Sequence, residues 1–236
     1  MEALRQPLLI RQQPGLLRKQ PVLPRATQGK SFLEAYRLGD VGRKSEIVDG
    51  LINHYILRTD NAGLRELTQI VKISDNEKQF VFERAKQILQ QEIANPTSGE
   101  RFEKLKRMVD IMKCCSTSPE YRAVSGRNRS REPYVFFGNP NGTGITVWSN
   151  GERYEGLFQN SLKEGQGVYT FADGDRYEGE FHNDRMEGQG VITFAEGIRY
   201  EGEFHNDQME GQGVITYANG DRYEGRFHNG RPAEPR

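Results

Sequence analysis

The chain is poor in the residues that most small stable folds lean on. It has two cysteines, Cys114 and Cys115, in 236 residues, which excludes a disulfide framework and a zinc site of four thiolates and fits a reducing compartment. No window approaches the roughly 18 consecutive apolar residues of a membrane-spanning helix, and the opening residues lack a continuous apolar secretory segment. The expectation is therefore a soluble, unsecreted chain. Hydrophobic residues make up 35% and the mean hydropathy is −0.79, too little for a large buried catalytic core. Also missing are a phosphate loop, a kinase signature set, a metal-ligand cluster and a nucleophile–base arrangement, so neither an enzyme nor a cofactor is expected.

Charge is present in both signs but unevenly placed. Lys+Arg and Asp+Glu each number 33, yet residues 131–236 hold 10 basic against 18 acidic side chains, and residues 1–130 carry the opposite excess. Residues 1–30 contribute Arg5, Arg11, Arg18, Lys19, Arg25 and Lys30 against Glu2 alone, with Pro7, Pro14, Pro21 and Pro24 among them. Proline at that density forbids a continuous helix, and little apolar surface remains to offset ordering. The segment reads as a disordered basic arm, with an organelle transit peptide as the alternative.

From 31 to 115 apolar residues recur at helical spacing, as in Ile47, Val48, Leu51, Ile52, Tyr55 and Ile56. Ser31–Glu34, Ser74–Glu77 and Thr97–Glu100 have the capping-box form, and Gly39, Gly63 and Asn95-Pro96 punctuate the pattern. Helices are predicted near 32–38, 46–58, 62–73, 76–94 and 100–113. They would form a small bundle around Ile47, Leu51, Ile52, Leu64, Leu67, Ile70, Phe80, Ile88, Leu89, Phe102, Leu105 and Val109. Residues 116–131, rich in Ser, Arg and Gly, read as a linker.

Residues 132–236 are a repeat array. Tyr154, Tyr177, Tyr200 and Tyr223 recur every 23 residues, each opening Tyr-Glu-Gly-x-Phe, and Gly165-Gln-Gly167-Val returns at 188–191 and 211–214. The framework of Tyr154, Gly156 and Phe158, then Tyr177, Gly179 and Phe181, then Tyr200, Gly202 and Phe204, then Tyr223, Gly225 and Phe227 alternates with glutamates. That is strand periodicity, with an aromatic face and a charged one. Glycine between tyrosine and phenylalanine leaves room for the rings. Asn150-Gly151, Asp173-Gly174, Glu196-Gly197 and Asn219-Gly220 predict type I′ hairpin turns. The fold class is thus α+β, a small helical bundle followed by an elongated antiparallel meander. Residues 134–137 would start the sheet, with the bundle covering that edge, while Pro232 and Pro235 guard the other.

Tyr-Glu-Gly-x-Phe-x6-Gly-x-Gly at 23-residue spacing resembles the MORN (membrane occupation and recognition nexus) repeat, over residues 142–230. One departure is the phenylalanine at 158, 181, 204 and 227 where the family often has tryptophan. The resemblance implies a protein-interaction scaffold in a multi-subunit assembly, cytoplasmic and of the cytoskeletal or axonemal, ciliary kind, with membrane tethering as the alternative. The basic arm, rather than the acidic repeats, would supply any contact with anionic lipid. Nucleic-acid binding is not expected, because the arm lacks interleaved aromatics.

Two ladders stand out as candidate sites. Glu155, Glu178, Glu180, Glu201, Glu203 and Glu224 form either an acidic strip for a basic partner or a solvated face, partly neutralised by Arg153, Arg176, Arg199 and Arg222 on the same side. His182, His205 and His228 recur at the unit period, but side chains about 10 Å apart cannot share one metal ion. Cys114-Cys115 reads as two thiols at a helix end, with palmitoylation or redox pairing as alternatives.

Overall fold

The computed structural model describes residues 32–57, 61–94, 100–116, 121–127 and 133–233. The basic arm at 1–30, the capping residues Ser31 and Thr97, and Asn95-Pro96 lie outside them. Five helices come first: α1 (Phe32–Leu38), α2 (Val41–Leu57), α3 (Ala62–Val71), α4 (Asp75–Ala94) and α5 (Glu100–Cys115). All five predicted helices are present, although α2 begins at Val41 rather than near 46. Asp40 explains the earlier start, because its carboxylate accepts the Arg43 N–H at 2.8 Å and its carbonyl accepts the Lys44 N–H. At α4 only half of the expected capping box forms. Ser74 Oγ accepts the Glu77 N–H at 3.3 Å, but the Glu77 carboxylate turns outward to the Tyr36 hydroxyl and to Lys44 Nζ at 3.3 Å.

The helical core contains the predicted Ile47, Leu51, Ile52, Leu67, Ile70, Ile88, Leu89, Leu105 and Val109, all buried, with Leu64, Phe80 and Phe102 half-buried against them. It does not close on itself. The same cluster continues into Ala123, Val135, Phe137 and Val147 of the sheet.

Eleven strands in sequential order make one antiparallel sheet: β1 (Arg122–Arg127), β2 (Pro133–Gly138), β3 (Thr143–Trp148), β4 (Arg153–Gln159), β5 (Leu162–Thr170), β6 (Arg176–His182), β7 (Arg185–Thr193), β8 (Arg199–His205), β9 (Gln208–Thr216), β10 (Arg222–His228) and β11 (Arg231–Pro232). Two expectations are corrected here. The segment read as a linker contains β1, so β1 and not 134–137 is the first strand. The helices lie on a face of β1–β3 rather than over the edge, because Ala123, Val135, Phe137, Ile145 and Val147 give those strands an apolar second face.

The turns are exchanged relative to expectation. Both central residues have positive φ at Asn160-Ser161, Asn183-Asp184, Asn206-Asp207 and Asn229-Gly230, which therefore carry the two-residue type I′ connections. At Asn150-Gly151 and its equivalents only the glycine has positive φ. Those loops hold three residues: the Gly151 N–H donates to the Trp148 carbonyl at 3.1 Å, and the Trp148 N–H donates to the Glu152 carbonyl at 2.9 Å. Each unit thus alternates a tight turn with a wider one. The tight turns clasp their neighbours: the Asp184 N–H donates to the Lys163 carbonyl at 3.0 Å while Asp184 Oδ1 accepts the Lys163 N–H at 2.8 Å, and Asp207 repeats both bonds on Met186.

Candidate functional site

Alternation along the strands separates two faces. On the first, Tyr154, Tyr177 and Tyr200 are fully buried and Phe158, Phe181, Phe204 and Phe227 nearly so. They bury one another. Tyr177 meets Phe181 of its own strand at 5.1 Å and Phe204 of the next unit at 4.8 Å, both edge to face, and the same two contacts recur from Tyr154 and Tyr200. Tyr223 keeps only its own-strand partner, Phe227, at 5.6 Å, and is half-buried. Edge-to-face pairs of this kind add about 0.5–1.5 kcal/mol beyond area burial.

Glycines make the ladder possible. Gly144, Gly156, Gly167, Gly179, Gly190, Gly202, Gly213 and Gly225 face each other in register, one per strand from β3 to β10. The Tyr177 ring lies over the Gly179–Gly190 pair, and a Cβ on Gly190 would stand 2.5 Å from that ring. Lying flat, the ring brings its hydroxyl to the Glu180 carbonyl at 2.9 Å, and Tyr154 and Tyr200 donate in the same way to Leu157 and Glu203. Burial pushes the Tyr177 and Tyr154 hydroxyls above the ordinary tyrosine range and Tyr200 up to about 12. These groups stay protonated and structural.

The second face carries the glutamate ladder, and each member has a partner inside the chain. Glu178 pairs with Arg176 at 2.7 Å, Glu201 with Arg199 at 2.7 Å, Glu224 with Arg222 at 3.0 Å, and Glu155 with Arg153. Glu180 and Glu203 have another task. Gly188 and Gly211 take positive φ where the long strands bulge, and the two carboxylates accept the N–H groups of Gln189 and Gln212 at 3.4 and 3.0 Å. Valines at 168, 191 and 214 sit opposite the glutamates. The net acidity of the array is thus spread over internally bonded carboxylates.

The histidines belong to clasps between units. His182 Nδ1 lies 2.8 Å from Glu164, whose other oxygen accepts the Asn183 N–H at 3.0 Å, and Asn183 Nδ2 lies 2.9 Å from His182 Nε2. His205 with Glu187 and His228 with Glu210 repeat the arrangement. Glu164, Glu187 and Glu210 all lie within strands, in β5, β7 and β9. The Asn183 N–H and then His182 hold Glu164 below the usual carboxylate range. At Glu187 some burial acts the other way but is outweighed by the Asn206 N–H and His205. Among the described residues no group of three or more His, Cys, Asp or Glu side chains is placed to hold a metal ion, and no described helix is long and apolar enough to cross a membrane. Cys114 and Cys115 sit at the end of α5 with sulfurs 3.6 Å apart, Cys115 being buried.

Two features of the aromatic face escape a reading of the repeat consensus. Trp148, Phe171, Phe194 and Tyr217, each beside a wide turn, form a row at the unit spacing; the first three are half-buried and Tyr217 is 38% exposed. The second is a groove of about 690 Å³ at the start of the array, walled by Tyr134, Phe136, Trp148 and Tyr169 and reached by Arg122 and Lys163. Lys163 stands where later units have Met186 and Met209, and Tyr169 where they have Ile192 and Ile215. Aligning the units against one another exposes these departures; looking for what they share hides them.

Residues 135–153, 154–176, 177–199, 200–222 and 223–233 match the family described as MORN repeat. No curated protein matches the chain.

Proposed function

We propose that the five consecutive MORN repeats of residues 135–233 make this chain a non-catalytic scaffold that docks protein partners along the aromatic face of its sheet. MORN repeats are interaction modules, engaged with proteins or membrane lipids and not generally catalytic. The observation that carries the reading is the row of Trp148, Phe171, Phe194 and Tyr217. It presents apolar area in steps of about 10 Å, two strand spacings, along an otherwise self-satisfied sheet. Repeat sheets enlarge such a surface in proportion to unit number. The opposite face suits a partner less well: helices cover its first strands and its glutamates are already bonded. We assign the chain to a multi-subunit assembly of cytoskeletal or axonemal type in the cytoplasm, a setting that rests on the family resemblance.

Crosslinking followed by affinity recovery from native extract tests this reading. Serine at Phe194 and Tyr217 together should release the partners while the thermal unfolding profile changes little. Recovery of the wild-type chain solely as a free monomer overturns the proposal. Contact with anionic lipid is the second reading, favoured only by the five net positive charges of residues 1–30. Vesicle flotation that survives removal of those residues would refute the arm as the site of that contact, and absence of flotation by the full chain would refute the contact itself.

A further inference from the structure

The first full unit, 154–176, departs from the next two at Leu157, Gln159, Ser161, Lys163 and Tyr169, positions where those two agree, and three of these five departures converge on one groove. Lys163 replaces a methionine, Tyr169 replaces an isoleucine, and both line the groove between β1 and β5. The Lys163 ammonium lies 4.5 Å from the Tyr169 ring centre, 5.4 Å from that of Phe181 and 5.8 Å from that of Tyr154. Ring faces attract a cation but accept no conventional hydrogen bond. Among the described residues no carboxylate lies within ion-pair reach of Lys163. The nearby acids are engaged elsewhere: Glu152 accepts the Tyr169 hydroxyl at 2.9 Å, Asp184 accepts the Lys163 backbone N–H and Asp207 accepts that of Met186. Burial holds the ammonium below the ordinary lysine range, against the pull of Asp184, Asp207 and Glu152.

Lys163 is half-buried, and its ammonium makes no hydrogen bond or ion pair within the described residues, so its donors are open to an acceptor that a ligand brings. We infer that the Lys163 groove is the specificity pocket of the aromatic face and takes a carboxylate side chain of a partner's extended segment, with an apolar or aromatic neighbour of that acid lying against Trp148 and Tyr134. The charge balance selects this occupant. The groove sets Arg122 and Lys163 against Glu152 and Asp184: the two acids repel a dianionic phosphate or a nucleic-acid backbone, whereas a single carboxylate can pair with the Lys163 ammonium, which has no ion-pair partner among the described residues. The aromatic walls then favour an apolar flank over a run of acids. Because Met186 and Met209 occupy the corresponding positions further along, the pocket also fixes the register of a bound segment on an otherwise repeating surface.

The inference rests on the docking role of the aromatic face, and one experiment separates the two. A phage-displayed library of random twelve-residue peptides is panned on the full chain, on Lys163→Met, and on the double serine variant at Phe194 and Tyr217. The Lys163→Met change installs the residue that the other units carry, so the sheet is retained; circular dichroism verifies this. The expected result is enrichment of peptides with one Asp or Glu beside an aromatic residue, weakened at least about tenfold on Lys163→Met, the loss of one charge-assisted hydrogen bond. Peptides that are lost on the double serine variant yet show no acidic preference and bind Lys163→Met equally would overturn the pocket and leave the docking face standing. A library that yields no peptide sensitive to the double serine variant would overturn both.

Discussion

The helical layer and the repeat sheet solve the same problem, covering apolar side chains with modest hydrophobic content, by opposite means. In the helices the core is convergent: α2, α3, α4 and α5 send Leu51, Ile52, Ile70, Leu89 and Val109 to one cluster, so every element touches several others. In the sheet it is propagated: Tyr154, Tyr177 and Tyr200 each meet the phenylalanine of their own strand and that of the next unit. A convergent core needs a different side chain at each place and erases periodicity. A propagated core needs the same three residues each time and enforces it. The two meet at β1–β3, where Val135, Phe137 and Val147 belong to the helical cluster while Phe136 on the other face begins the aromatic ladder.

Removing one region at a time should therefore have unequal results. Deleting residues 31–116 bares Val135, Phe137, Ile145 and Val147 on one face of three adjacent strands, and the remaining sheet is expected to associate at micromolar concentration in light scattering. Deleting 200–236 bares the last ring pair of the ladder and the edge of β7 but no second apolar face, and the remainder is expected to associate less than the sheet without helices. A monomeric sheet without helices would break the distinction.

Single substitutions sharpen it. Gly190→Ala forces a methyl into the Tyr177 ring at 2.5 Å, between two paired backbones that cannot separate without breaking the ladder. Overpacking of this kind costs roughly 1–3 kcal/mol, read as a lower midpoint in denaturant, and Gly213→Ala should match it because Tyr200 stands over Gly213 in the same way. Tyr177→Phe removes one buried hydrogen bond to a carbonyl, about 1 kcal/mol. Equivalent changes within the helices, Leu51→Ala and Leu105→Ala, should differ from each other, because the cavities left in a convergent core are unlike.

The smallest effect is in pH. Glu164, Glu187 and Glu210 are depressed in the folded chain by the bonds of the clasps, so their contribution is present above the ordinary carboxylate pKa and fades as pH falls through their lowered values. Exposure keeps it small. Carboxylate titration by NMR should place all three below an unperturbed glutamate, and His205→Ala should raise Glu187 while leaving Glu210 with its own partner, His228.

The legible parts of the sequence are those where one residue type has one physical reason to be there. Stripes such as Ile47 to Ile56 lead to helices, and Tyr177, Gly179 and Phe181 lead to an aromatic face. The turn types are not legible because Asn-Gly fits both hairpin loops: glycine supplies a positive φ in each, and only strand register decides whether the preceding residue must share it. Strand β1 is hidden because Arg-Ala-Val-Ser-Gly-Arg has one large apolar residue and no copy elsewhere; it forms because β2 offers an edge and α5 a roof. Glu180 and Glu203 look like free acids because the bulges at Gly188 and Gly211, on the neighbouring strand, are invisible to alternation. Lys163 is legible in principle, as one of five positions at which the first full unit breaks a match that the next two keep.

The clasp at the Asn183-Asp184 and Asn206-Asp207 turns has a bearing on how such a chain changes over generations. Since Asp184 on Lys163 and Asp207 on Met186 make identical joints, an unequal crossover that duplicates or drops 23 codons between them yields ends that already fit. Length is then free to vary without invention, and novelty is confined to whichever copy loses its likeness to the rest.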